Sequence, residues 1–313
     1  ADHIGKGGVE SVEDLADVKA VVVEAVRSGG VSVLNADDPL TLRMARHAGG
    51  KVAWFSMRGG LETPPMIQKH LVEGGLAALW SPGAGGGILT LYEGERTVLS
   101  MQAADIPATL GGHAAFNIKN ALAAMLMAHG VNIPAAEIRA GLAEFASTFE
   151  QNPGRLNVRD VGGFRVIVDY AHNAEGLRAL GDLVRSMKGD GRAIGMVSIP
   201  GDRRDDDIRE IGAVAAEIFD LSVFRETPDG RGRPAGVIAG LMTEGALAAG
   251  SEPARLRTVL DEAAAADECL REARPGDLVV LLPTTVDGIW NKVCAYRPQA
   301  DAAIALTGEG LHG

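Results

Sequence analysis

The sequence predicts an α/β protein of about two domains, the second a doubly wound sheet with Rossmann-like order. Three observations carry this. From about residue 153 onward, short runs rich in β-branched residues alternate with helical stretches, which implies a mostly parallel sheet covered by helices. One such run, Val166-Ile167-Val168, leaves directly into a polar cluster of Asp169, His172 and Asn173, at the carboxyl end of a strand, where open parallel sheets bind ligands. The 313 residues are 46% hydrophobic, enough to bury a sizeable core.

Taken in order, residues 10–24 have the pattern of an amphipathic helix with Ser11 as its cap. Residues 31–34 form a short strand whose polar exit is Asn35-Ala36-Asp37-Asp38-Pro39. A helix follows over 39–48 and a strand over 52–56. Residues 58–87 read as loop with two glycine clusters. Residues 88–92 and 97–100 flank Glu93-Gly94-Glu95-Arg96, a β-hairpin pattern. Gly111 turns into a long alanine-rich helix reaching Gly130, and 138–145 is another helix. The boundary expected at 149–153 divides the chain into domains 1–150 and 151–313. Beyond it, strands are expected at 156–161, 164–168, 193–198, 221–224 and 278–282, with helical composition over 174–183.

Composition excludes several classes. Asp and Glu number 41 against 30 Lys and Arg, a net charge of -11, which argues against a nucleic-acid surface. No apolar run approaches the ~18 residues of a membrane span. Cys269 and Cys294 lack metal or redox spacing, which fits a reduced cytoplasm. The chain opens Ala-Asp-His-Ile-Gly without methionine or a secretion leader, so a piece of a longer polypeptide is expected.

Several clusters carry candidate chemistry, each beside a plain structural role. His3 is a candidate metal ligand or part of a solvated tip, and Lys19 a partner to it or a surface lysine. Asn35 to Pro39 suits an Asx turn that caps a helix. Asn117 and Asn120 share one helix face; they suit a nucleobase edge, since asparagine both donates and accepts, or a helix cap. Asp169 lines a site or caps the following helix. Gly201-Asp202-Arg203-Arg204 precedes the acidic run Asp205–Asp207, which suits the first turn of a helix. The arginines there, and Arg231 and Arg233 in a glycine-rich loop, suit anions. No Gly-x-x-x-x-Gly-Lys-Ser/Thr phosphate loop occurs.

In order, Ala-Asp-His-Ile-Gly (1–5), Val-Leu-Asn-Ala-Asp-Asp-Pro (33–39), Gly-Gly-His-Ala-Ala-Phe-Asn-Ile-Lys-Asn (111–120), Asn-Pro-Gly-Arg-Leu-Asn (152–157), Val-Asp-Tyr-Ala-His-Asn (168–173), Pro-Gly-Asp-Arg-Arg-Asp-Asp-Asp-Ile-Arg (200–209) and Arg-Gly-Arg-Pro (231–234) resemble the Mur ligase superfamily. Gly-Asp-Arg-Arg-Asp with Arg-Gly-Arg-Pro is similar to the branch that builds an aspartate–arginine polymer. The resemblance implies the later part of a Mur-ligase central domain, with a β-hairpin subdomain, followed by a whole Rossmann-like C-terminal domain. It implies an acid–amino-acid ligase using ATP and Mg²⁺: a carboxylate becomes an acyl phosphate, which an amine attacks. In that branch arginine joins the side-chain carboxylates of a poly-aspartate backbone, and another module of the same polypeptide, of ATP-grasp type, adds aspartate. His3 would help hold Mg²⁺, Lys19 falls where relatives carry a carbamylated lysine, and Asn117 and Asn120 would face adenine. Arg155, Asp169 and His172 would line the nucleotide, Asp169 near the ribose, while Arg203 would face phosphate or amino acid and Arg204, Arg231 and Arg233 the substrate. The phosphate loop of these ligases is missing before Asp2, and Ala174 replaces a common proline. These residues alone are therefore expected to be inactive. The partners implied are ATP, arginine, the polymer and the rest of the polypeptide, with a homo-oligomer left open. The alternatives are another Mur-type ligase, for peptidoglycan precursors or folylpolyglutamate, and a non-catalytic module for oligomerisation or polymer binding.

Overall fold

The computed structural model describes residues 7–227 and 229–297. The chain divides into two compact units, one of residues 1–152 with 175–187, the other of 153–174 with 188–313.

The first unit opens with α1 (Val12–Glu24), then β1 (Val31–Asn35), α2 (Pro39–Met44), β2 (Lys51–Ser56), α3 (Pro65–Val72) and β3 (Leu76–Ser81). It continues with the hairpin β4 (Ile88–Glu93) and β5 (Arg96–Gln102), then α4 (Ala115–Gly130) and α5 (Ala135–Glu144). Its five strands lie in chain order, β1 to β3 parallel and β3 to β5 antiparallel. One face packs against α4 through Ile118, Leu122 and Met125, and the other against Val23 of α1 and Ile67 of α3. Ser11 and Asp14 form the capping box that starts α1. Asp38 caps α2, with Pro39 in its first turn.

Residues 58–87 are not the loop that the glycines suggested. They hold α3, which begins at Pro65, and β3, whose Leu-Ala-Ala-Leu-Trp-Ser contains no β-branched residue. Pro65 stands in the first turn of α3, where proline is tolerated.

The second unit carries β6 (Asn157–Val161) and β7 (Phe164–Val168). The helix α6 (Ala174–Met187) follows β7, and all of it but Ala174 falls in the first unit. Then come β8 (Ala193–Val197), α7 (Asp205–Ile218), β9 (Leu221–Phe224), α8 (Val237–Ala248), β10 (Leu256–Thr258), α9 (Glu262–Glu272), β11 (Leu278–Leu281) and α10 (Val286–Ala295). The sheet order is β10-β9-β8-β11-β7-β6, parallel except for the edge strand β6. Val166, Ile194, Val223 and Val279 pack with Ala266 and Cys269 of α9 and Ile289 and Val293 of α10. The helices α7 and α8 pack on β8 and β9. They approach each other so closely that a Cβ on Gly212 would stand 1.8 Å from the Met242 carbonyl oxygen. Gly212→Ala is therefore expected to destabilise this unit by about 1 kcal/mol or more. Urea denaturation measures it, and an unchanged midpoint would contradict the packing.

This is the doubly wound sheet that the strand–helix alternation predicts. The three-residue β10 was missed, being too short for periodicity to register. Because β8 and β11 lie side by side although β9 and β10 intervene in sequence, the strand order reverses there, and the exits of β7, β8, β9 and β11 share one edge of the sheet.

Candidate active site

Asp169 leaves β7 at this edge. Its carboxylate Oδ2 accepts the Leu156 amide at 3.0 Å and Oδ1 accepts the Ala171 amide at 2.8 Å. The bond to Ala171 closes an Asx turn, and the bond to Leu156 ties the exit of β7 to the chain entering β6. The first helical residue of α6 is Ala174, so neither bond is a helix cap. Burial pushes the Asp169 carboxyl above its ordinary value, although both amides and the charges of Arg155 and His172 oppose the shift.

Around it stand the other residues expected from the sequence. The exposed Arg155 lays its guanidinium over the Tyr170 ring, 5.6 Å from the centroid, a cation–π contact. His172 Nδ1 lies 3.0 Å from the Tyr170 carbonyl oxygen, and the two rings are 5.6 Å apart. Arg155, Asp169 and His172 are thus brought together, with Tyr170 as a platform that sequence reading passed over.

The arginines beyond β8 and β9 are held differently. Arg203 and Arg231 both bond to Asp202 Oδ1, at 3.0 and 3.2 Å. Arg204 grips Asp207 with two bonds, which hold the Asp207 carboxyl below its ordinary range. Arg233 clamps the loop before α7: its guanidinium donates to the Gly201 and Arg203 carbonyls and to Asp205. Each guanidinium therefore has a carboxylate partner within the protein. A Cβ on Gly201 would stand 2.3 Å from the Gly230 carbonyl oxygen, so this glycine permits close approach of the protein's own backbone. Asp205 to Asp207 do form the acidic first turn of α7.

Three buried charged residues at the same edge were missed. Arg225, 2% exposed, follows β9 and pairs with Glu262 at 2.9 Å. It also donates to the Leu282 carbonyl and the Thr284 hydroxyl beyond β11. Glu262 accepts the Thr284 and Thr285 amides, and Glu226 accepts those of Gly236 and Ala239 at the start of α8. Arg225 and Glu262 bound or underlie a cleft of about 490 Å³ whose walls include Glu226, Thr227, Asp261, Glu262, Thr285 and Lys292. Three of these are carboxylates against one ammonium, and that ammonium is tied to Asp267.

In the first unit Lys19 occupies an exposed position of α1. Asn117 donates to the Ala108 carbonyl, and Asn120 donates to Asn117, so the shared helix face expected of the pair is real. Asp37 binds the Ser56 hydroxyl, the Met57 amide and Arg58. Burial opposes its ionisation, yet those partners together hold its carboxyl below the ordinary range. His3 lies outside the described residues. Among the described residues no cluster of three His, Cys, Asp or Glu side chains could hold a metal ion, and no helix is long and apolar enough to cross a membrane.

Residues 154–285 match the family described as Mur ligase, glutamate ligase domain. The chain as a whole has a Mur ligase-like α/β fold. It is 41% identical to a cyanophycin synthetase of Geminocystis herdmanii over 95% of this chain and 33% of that protein. It thus spans about a third of the length of the curated relatives it matches. Among solved structures, Mycobacterium tuberculosis folylpolyglutamate synthase, complexed with ADP and AMPPCP, superposes with a TM-score of 0.62 at 20% identity, covering 96% of this chain and 62% of that one. MurF from Acinetobacter baumannii gives 0.62 at 18% identity, covering 93% and 57%.

Proposed function

We propose that the polypeptide containing this chain is an ATP-dependent amide ligase of the cyanophycin synthetase kind. It would add arginine to side-chain carboxylates of an aspartate polymer. The observation that carries this is the 41% identity to a cyanophycin synthetase across 95% of the chain. ATP supplies the phosphoryl group that activates the carboxylate. Arg155 is proposed to meet anionic oxygens of the nucleotide and Asp169 to accept a ribose hydroxyl, a reading supported by the contact of Arg155 with the Tyr170 ring, which would hold Arg155 in orientation. Lys19, His172 and Arg203 are proposed to act on the reacting groups, and Asn117 and Asn120 to bind the nucleotide. Mg²⁺ accompanies ATP, commonly held through phosphates with few protein ligands. The described residues form no cage of His, Cys, Asp or Glu for it.

The acidic cleft suits the side chain of a basic amino acid, because a guanidinium carries the complementary charge. Asp261 caps α9 through the Ala264 amide, and asparagine caps as well as aspartate. Asp261→Asn should thus remove charge without removing the cap. The expected result is a KM for arginine raised about threefold to tenfold, about 1 kcal/mol for a partly exposed charge, at unchanged melting temperature. An unchanged KM would count against the cleft.

The reading as a whole is tested with the full-length gene product, ATP, Mg²⁺ and poly-aspartate. Phosphate release should depend on arginine. Release that depends on glutamate or diaminopimelate instead would favour a folylpolyglutamate or peptidoglycan-precursor ligase, and release with no amino acid would favour neither. Full-length protein that binds polymer but never turns over ATP would favour the non-catalytic alternative. These 313 residues alone, about a third of the length of such enzymes, are expected to release no phosphate above blank.

A further inference from the structure

The segment entering β6 is bent in an unusual way. Gly154 and Leu156 both have left-handed backbone, φ +71° and +51°, and they flank Arg155. Glycine adopts that conformation freely, but leucine does so rarely, because its Cβ crowds the following carbonyl oxygen. Such strain persists only where the surroundings over-determine it, and it gathers at functional sites.

Here the surroundings are specific. Asn157, 0% exposed, accepts the Gly154 amide through Oδ1 at 2.7 Å. That bond closes the turn across Arg155 and Leu156. The Leu156 side chain is 2% exposed and its amide is held by Asp169. A Cβ on Gly154 would stand 2.9 and 3.0 Å from the methyl groups of Val286, so the turn is also walled in. Of the residues from Gly154 to Asn157, Arg155 alone is exposed, and it lies over the Tyr170 ring. The turn has buried anchors on both sides and one cationic group displayed.

We propose that Asn157 is a positioning residue, whose buried amide holds the strained turn that presents Arg155 to a nucleotide phosphate. This rests on the nucleotide role proposed above for Arg155. Asn157 would not touch the nucleotide itself; it acts through Arg155.

A double-mutant cycle on the full-length protein tests it, with ADP binding measured calorimetrically and melting temperatures recorded. Arg155→Ala and Asn157→Ala should each weaken ADP by about tenfold. Asn157→Ala added to Arg155→Ala should cost less than about twofold more, because residues acting through one another are not additive. If Asn157→Ala does not fold, Gly154→Ala takes its place in the cycle, since its added methyl meets the Val286 methyls and it too should weaken ADP through Arg155. An additive double variant, or Gly154→Ala that binds ADP like the parent, would overturn the positioning role and leave the nucleotide role of Arg155 intact. An Arg155→Ala variant with undiminished ADP affinity would overturn both.

Discussion

Glu262→Gln should destabilise the second unit by about 3–5 kcal/mol, the cost of leaving a buried charge without its partner. Arg225 is 2% exposed and Glu262 9%. Burial pulls the Arg225 pKa down while Glu262 opposes the shift, yet a guanidinium stays charged in proteins. Glutamine keeps the size of the side chain and removes the charge. It also offers one acceptor oxygen where the carboxylate uses two, for Arg225 and the Thr284 and Thr285 amides. The double variant Arg225→Met with Glu262→Leu should recover the part due to charge, because apolar replacement of a buried ion pair is often neutral. It should not recover everything. The two amides would lose their acceptor, at about 1–3 kcal/mol for each one left buried and unsatisfied. Urea denaturation of all three proteins separates the parts. A Glu262→Gln protein within about 1 kcal/mol of the parent would mean that the pair is open to water, since exposed pairs contribute no more than that.

The same pair marks where sequence ceased to be informative. The run Val166 to Val168 and its exit at Asp169 could be read locally, because β-branched residues and a following polar cluster are neighbours in sequence. So could the Ser11 cap, the Asp38 cap and the acidic first turn of α7, each of which closes within one helical turn. Arg225 could not be read as buried, because Glu262, Leu282 and Thr284 come from two later elements. The arginine loops show the limit from the other side. The grip of Arg204 on Asp207 follows from spacing, but that of Arg233 on Gly201, Arg203 and Asp205 depends on how two loops meet. Sequence supplies the guanidinium and leaves open whether protein or ligand takes it. The strain at Leu156 was equally hidden, since nothing in leucine signals left-handed backbone.

Asp169→Asn should raise the KM for ATP by roughly tenfold to a hundredfold, the loss of a hydrogen bond to a charged group of about 1.5–3 kcal/mol. Fold stability at neutral pH should change far less, because two effects oppose each other. Asparagine weakens the acceptor for the Leu156 or Ala171 amide, and it also removes a carboxylate whose ionisation burial disfavours. The pH dependence separates them. The folded Asp169 pKa lies above the ordinary 3.8, so between those two values the folded state binds more protons than the unfolded state. Stability then rises as pH falls. The contribution is complete below the unfolded value and is lost as pH climbs through the folded one. The parent should thus gain on Asp169→Asn as both are taken from neutral pH toward about pH 4, near the ordinary carboxylate range. This runs opposite to Asp37, Asp220 and Asp277, whose carboxyls are held below the ordinary value and whose contributions fade on acidification in both proteins alike. The difference between parent and variant isolates the one carboxylate. If the variant gains on the parent instead, the two backbone amides outweigh burial at Asp169. If the ATP KM does not move, Asp169 only ties the exit of β7 to the chain entering β6, and the nucleotide must be held by other groups.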